Sequence, residues 1–387
     1  MAEPHSILQR AEFRDLDELA RGRFRAWAQA HENDGELPLA NLEDIHRLGL
    51  LHIAASREAG GGDGSLTGRD PGAFLQAVRL VARGDSATAH CFQVHNHTLW
   101  LLDELATDQQ REEILRPLTG KFSLLASVGS EPNRISMYVM QTKARREPGG
   151  WRINGIKNFA TNGPRADWFV VFVAIDGVDD YLQNHMMVLI RPDMPGVTIS
   201  DEWYRPHGMR AARSSVLRLD NVFVPDTQVL GEPGSYPRGR WQGRYHLGFA
   251  ANYLGTSEGL NDWYLSYVTG RNRGSDPLTQ LRTGEIRIAL DAAAALFESA
   301  ISGWQILPVV QAELRSMSAK SNAAHAAFRV IQTVVHASGA TAQFDDHPLS
   351  RYIRDLETHV LHAGHDRTAQ IIGQAQLGQS FDSTLQR

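Results

Sequence analysis

Sixteen histidines are spread along the 387 residues, and two groups of them are closely spaced. His95 and His97 fall in a stretch with helical character. The run Thr358-His359-Val360-Leu361-His362 sets two imidazoles three apart, which on a helix puts them on one face. An imidazole titrates near neutral pH and donates, accepts or shuttles a proton, so paired histidines suit general acid–base work. Among sixteen histidines some pair is expected by chance, so spacing alone gives them no role. No aspartate or glutamate lies between Thr358 and His365, so this run offers no carboxylate base. No carboxylate–histidine set has the spacing of a metal site, and we expect no metal. No Gly-x-Gly-x-x-Gly opens a strand–helix unit, which removes a dinucleotide-binding turn.

The elements that must position these groups change type twice along the chain. Apolar positions recur at helical spacing in Arg10 to His31, where Leu16, Leu19, Ala20, Phe24 and Trp27 alternate with charges. Further helices are predicted for 41–51, 71–83, 86–104 and 107–118. From Phe122 the segments become short and rich in β-branched and aromatic residues, with Gly-Gly, Asn-Gly and Pro-Gly turns between them. Strands are predicted for 122–128, 144–154, 168–175, 185–191, 197–202 and 214–223. Helical periodicity returns near Trp241, with helices expected over 247–269, 278–304, 309–338, 349–362 and 367–377. The expectation is an α+β protein in three domains: residues 1–121 helical, 122–232 a β barrel, and 233–387 a helical bundle of the four-helix type.

Composition excludes several classes. Hydrophobic residues make up 42% and charged residues 21%, and the formal charge is −5, ordinary for a folded protein and without the basic face that nucleic acid requires. No apolar run approaches the ~20 residues that span a bilayer. The start, Met-Ala-Glu-Pro-His-Ser, lacks a basic segment followed by an apolar core. Cys91 is the only cysteine, which permits no intrachain disulfide and fits a reducing cytoplasm.

Four fragments in order then carry a family resemblance. They are Ser130-Glu131-Pro132, Trp151 to Gly163 (WRINGIKNFATNG), Gly208-Met209-Arg210 followed by Leu219-Asp220-Asn221-Val222-Phe223-Val224-Pro225, and Arg351-Tyr352-Ile353-Arg354-Asp355. Together they resemble the acyl-CoA dehydrogenase superfamily over nearly the whole chain. The resemblance implies a flavin lying against the strand-rich part, with Val128, Ser130 and Thr161 meeting its polar edge and Phe159 packing on the ring. It implies that Arg271 meets the cofactor's pyrophosphate, and that Ser338-Gly339-Ala340 grips the same group from a neighbouring subunit. The protein would then be a homo-oligomer, with a tetramer expected. FAD is the expected cofactor, with FMN as the other candidate.

The family's dehydrogenases remove an α-proton with a glutamate. The two positions where the resemblance places it hold Ala363 and Tyr245 here, and Asn133-Arg134-Ile135-Ser136 lacks the Gly-Ser-Asp of their substrate site. Thr358 to His362 instead resembles the Thr-His-x-Leu-His of the two-component flavin monooxygenases, such as dibenzothiophene monooxygenase. His95 falls where that branch has an active-site histidine. This branch implies a monooxygenase using reduced flavin and O2 on a small organic molecule, with His95, His359 and His362 as catalytic candidates and a separate flavin reductase as partner. Phe159-Ala160-Thr161-Asn162-Gly163 is closer to the dehydrogenases. An acyl-CoA dehydrogenase-like FAD enzyme with an atypical base therefore stays open, as does a catalytically silent member.

Overall fold

The structure is a computed structural model that describes residues 7–133, 139–362 and 365–383. The first helical part runs through α1 (Ala11–Leu19), a π-helical turn (Ala20–Phe24) and α2 (Arg25–Asp34), then α3 (Leu39–Arg47), α4 (Ala73–Gly84) and α5 (Ser86–Leu105). Gly35, at φ 62°, ends α2 in the left-handed conformation that glycine adopts without strain. Asp85 caps α5, its carboxylate accepting from the Ala87 and Thr88 amides. This helix is buried for most of its length, unlike a surface helix with one apolar stripe. Its histidines are therefore interior groups.

Seven strands follow: β1 (Leu125–Val128), β2 (Lys143–Glu147), β3 (Gly150–Thr161), β4 (Trp168–Ile175), β5 (His185–Ile190), β6 (Val197–Ser200) and β7 (Ser214–Pro225). β1 and the start of β2 both pair in parallel with β4, whose other edge carries β5. β2, β3, β7 and β6 then continue antiparallel. The strands form one seven-stranded sheet, the middle β domain expected, and among the described residues no pairing joins β6 back to β5. The stretch expected as one strand over 144–154 is a hairpin, β2 turning into β3 at Pro148-Gly149, where Gly149 has φ 77°. Between Lys157 and Ala160 the register with β7 shifts, and Phe159 sits in that bulge at φ 55°. The bulge leaves the Phe159 ring 51% exposed instead of in the sheet.

The last part contains α6 (Trp241–Gly270), α7 (Pro277–Ile306), α8 (Val309–Ser338), α9 (Leu349–His359) and α10 (His365–Gln376). α6 begins six residues before the expected start and packs closely on α4. A Cβ on Gly255 would lie 2.1 Å from the Arg79 carbonyl oxygen, and one on Gly259 2.2 Å from that of Arg83. One apolar core spans both helical parts and reaches the sheet through Val170, Met187 and Leu189. A second fills the sheet region around Val128, Phe169 and Leu217. No helix of the described residues is long and apolar enough to cross a membrane.

Candidate functional site

Where α5, β1, β3, the start of α6 and the end of α9 converge, they enclose a cavity of about 550 Å³, within the roughly 300–1,000 Å³ of small-molecule sites. From α5 it takes His90, Val94 and His97, spaced i, i+4, i+7 on one helical face. Ser127, Gly129 and Ser130 come from β1 and the residues after it, Phe159 and Thr161 from β3, and Tyr245 and Phe249 from α6. Thr358, His359 and His362 close it. Among the described residues no aspartate, glutamate, lysine or arginine lines it.

A hydrogen-bonded chain runs along one wall. His359 Nε2 lies 3.1 Å from His90 Nδ1, His90 Nε2 lies 3.4 Å from Thr161 Oγ1, and Thr161 Oγ1 lies 2.8 Å from Ser214 Oγ. Ser214 donates onward to the Ala212 carbonyl at 3.4 Å. A carbonyl only accepts, so the protons are ordered from that end. Ser214 donates to Ala212, Thr161 to Ser214, His90 Nε2–H to Thr161, and His359 Nε2–H to His90. This assignment by network leaves His359 Nδ1 as a bare acceptor, and that buried atom has no hydrogen-bond partner among the described residues. Burial holds His90 down to about 4 and His97 to about 3, and keeps His359 well below its ordinary range. All three are neutral at pH 7.

Other walls fix the remaining rings. The His97 ring stacks on Tyr245 at 4.2 Å, and the Tyr245 hydroxyl donates to the His97 carbonyl. Burial pushes that phenol well above 10, so Tyr245 is no base. His362 is half-buried and stacks on Phe249 at 3.8 Å, while Lys320 donates to its carbonyl.

Of the residues singled out in the sequence, Ser130, Phe159, Thr161, His359 and His362 line this cavity. Val128 is fully buried in β1, one residue from the lining positions on either side. His95 is not brought to the cavity, and this corrects the expectation for it. It follows Val94 by one residue, about 100° round the helix, and points to His52, with ring centroids 5.1 Å apart and its Nδ1 accepting from the Leu125 amide. His90 takes the place on that helix, and the signal for it was its seven-residue spacing from His97. Arg271, Ser338 and Gly339 also lie outside the lining. They gather elsewhere: the Arg271 guanidinium covers the Tyr267 ring at 3.8 Å, and Tyr267 donates to the Ser338 carbonyl at 3.1 Å. Ala363 falls outside the described residues, as do Arg134, Ile135 and Ser136.

The cavity meets the needs of a flavin ring. It offers an apolar slot, hydroxyls on strand edges, an aromatic ring released by a bulge, and buried nitrogens, His97 Nε2 and His359 Nδ1, without a hydrogen-bond partner among the described residues.

Neutral buried histidines also set an acid limit. His52 and His90, held to about 4, His97, held to about 3, and His95 and His359, held by burial well below their ordinary range, bind fewer protons folded than unfolded. Each contributes stability present above about pH 6.5 and lost as pH falls towards its folded value, at up to about 1.4 kcal/mol per pH unit. The carboxyls of Glu32, Glu313 and Asp355 are raised by burial and oppose this. Five imidazoles outweigh three carboxyls, so urea unfolding midpoints should fall steadily from pH 6.5 to 4. A flat or rising midpoint would contradict the burial of these rings.

Family models for the three parts of acyl-CoA dehydrogenases match the chain: the N-terminal domain at residues 9–121, the middle domain at 126–222 and the C-terminal domain at 247–367. The chain is 27% identical over 377 residues to a dibenzothiophene monooxygenase of Rhodococcus erythropolis, covering 89% of this chain and 88% of that one. It is 26% identical over 400 residues to the mitochondrial short-chain specific acyl-CoA dehydrogenase of Rattus norvegicus, covering 98% and 94%. The crystal structure of TdsC from Paenibacillus sp. A11-2 with FMN and indole superposes with a TM-score of 0.85 at 24% identity, over 97% of this chain and 98% of that one. With all three domain models matched in order and the cavity formed where those parts meet, the chain belongs to the acyl-CoA dehydrogenase family.

Proposed function

We propose that this protein is a flavin-dependent monooxygenase that takes reduced flavin from a separate reductase and, with O2, oxygenates a small organic molecule. The observation that carries the reading is the cavity wall of imidazoles without an acidic side chain. A dehydrogenase of this family removes an α-proton with a carboxylate, and the described wall has none to offer. Similarity over most of the chain to dibenzothiophene monooxygenases supports the same choice.

When bound, the flavin supplies the electrons and activates the oxygen. The chain's own residues do the rest. Ser130 and Thr161 would hold the ring's polar edge, Phe159 would cover it, and Val128 would back the slot from β1. His359 Nδ1 accepts a hydrogen bond or a proton from the bound reactants, and His90 accepts in turn from His359 Nε2, which spreads the charge that develops. His362, held against Phe249, closes the site above α6. Burial and the apolar lining exclude the water that would let peroxide escape.

Arg271, Ser338 and Gly339 would hold the cofactor's phosphate in a second subunit, because the cluster they form does not line their own chain's cavity. A guanidinium fork suits that task. On α7 Leu278, Leu281 and Ile288 are 57%, 58% and 68% exposed, the kind of apolar face a homo-oligomer covers; we infer a tetramer. FAD is the preferred cofactor, with FMN the alternative supported by the TdsC structure. We draw the domain limits at 1–121, 122–232 and 233–387. A lone, buried Cys91 fits a cytoplasmic enzyme.

The acyl-CoA dehydrogenase reading draws support from the 26% identity to the short-chain enzyme, and one titration separates the two. Protein loaded with oxidised FAD should keep its yellow absorbance when butyryl-CoA is added without oxygen. Stoichiometric bleaching would overturn the monooxygenase reading.

A further inference from the structure

Beside the cavity lies a second basin of about 670 Å³, and the two share Tyr204, Pro206 and His207 in their walls. The cavity carries no charged side chain of the acidic or basic kind among the described residues. The basin is lined by Arg205, Arg210, Arg213 and Arg354 against Asp34, Asp201 and Glu202. Its charges are unevenly committed. Arg213 is paired with Asp201, and Arg354 is bonded to Ser350 with Glu32 at 3.8 Å. Arg205 uses its Nε on the Glu202 carbonyl. The Arg210 guanidinium makes no hydrogen bond or ion pair among the described residues, while its backbone is fixed, its amide donating to Glu32 at 3.0 Å.

Resting on the monooxygenase reading, we infer that this basin binds the anionic end of the substrate, which is a small aromatic molecule bearing a carboxylate or a like anion. The two compartments divide such a molecule. The ring fits the apolar cavity, where Phe172 and Tyr236 pack at 4.6 Å and His185 stacks on Tyr236 with an interplanar angle of 11°. A charge entering there would meet no acidic or basic side chain among the described lining residues and would lose its hydration. Across the Tyr204–His207 boundary it meets the Arg210 fork and the terminal nitrogens of Arg205, whose planar donors match a carboxylate. Glu32 sits behind this wall, its carboxyl raised to about 7 by burial and by the neighbouring Asp355, which weakens its own repulsion of the ligand. Substrate orientation follows, because the anion pins one end and leaves the ring near His359.

The probes are indole-3-acetate and 3-methylindole, which share a ring system and differ by the carboxylate. Calorimetric titration of the flavin-loaded protein should show indole-3-acetate binding at least about tenfold tighter, some 1.4 kcal/mol. Arg210→Gln should remove most of that preference, Arg205→Gln should reduce it, and the double substitution should abolish it, with 3-methylindole bound as before. Equal binding of the two probes by the unaltered protein, or a preference that survives the double substitution, would overturn the inference. So would a selective loss of FMN binding relative to riboflavin in the double variant, which would assign the basin to the cofactor's phosphate. These are equilibrium measurements that need no turnover. Their failure is therefore separate from failure of the oxygenation test.

Discussion

Replacing His359 with alanine should lower oxygenated product formation by about a hundredfold or more, the scale of a lost general acid–base group. Reduced flavin would still be consumed, with hydrogen peroxide released almost one for one. The reason is the ordered chain from the Ala212 carbonyl through Ser214, Thr161 and His90 to His359. It presents a single bare nitrogen to the cavity and keeps it neutral by burial. His90→Ala should cost nearly as much, since without His90 nothing holds the proton of His359 on Nε2. Groups that act as one unit are not additive, so the double substitution should lose little more than either single one. Additive losses, or coupled turnover in His359→Ala within about threefold of the unaltered enzyme, would remove the chain from the chemistry.

Lys157→Met should destabilise the protein by about 3–5 kcal/mol, the cost of leaving a buried charge unpaired. Lys157 and Glu131 are both fully buried and lie 2.7 Å apart. Glu131 also accepts from the Gln141 and Thr142 amides at 2.7 and 2.9 Å. Those contacts hold its carboxyl below the usual carboxylate range against the burial that raises it. Adding Glu131→Gln to Lys157→Met should recover part of the loss, because a neutral amide still offers the backbone an acceptor. Urea unfolding reads both effects; a change under about 1 kcal/mol would contradict them. The pair also anchors the site. Asn158 donates its amide to the Ser130 carbonyl at 3.0 Å, so loosening Glu131 and Lys157 should weaken flavin binding as well.

Local pattern foretold most elements, because helical period and β-branched alternation are properties of short windows. The pattern gives the α8 bounds directly, whereas it places the start of α6 at Leu247, six residues after the helix begins at Trp241. The hairpin at Pro148-Gly149 was read through as one strand, although its turn residues were present. The cavity was half legible. Ser130, Thr161, His359 and His362 fall on motifs, whereas His90 is marked only by its seven-residue spacing from His97, and its partner His359 is 269 residues away. On a helix buried for most of its length, no exposed polar face separates His90 from His95 in the sequence. The Arg210 basin is hidden for a related reason, since only the fold brings Arg354 on α9 beside Arg205, Arg210 and Arg213.

Isotopic labelling tests the central claim most directly. Protein given enzymatically reduced FAD or FMN under 18O2, with indole and indole-3-acetate as trial substrates, should yield product carrying one 18O atom, with the other atom of O2 leaving as water. Product lacking the label, together with anaerobic bleaching of the oxidised enzyme by butyryl-CoA, would show a dehydrogenase whose base lies outside the imidazole-lined wall.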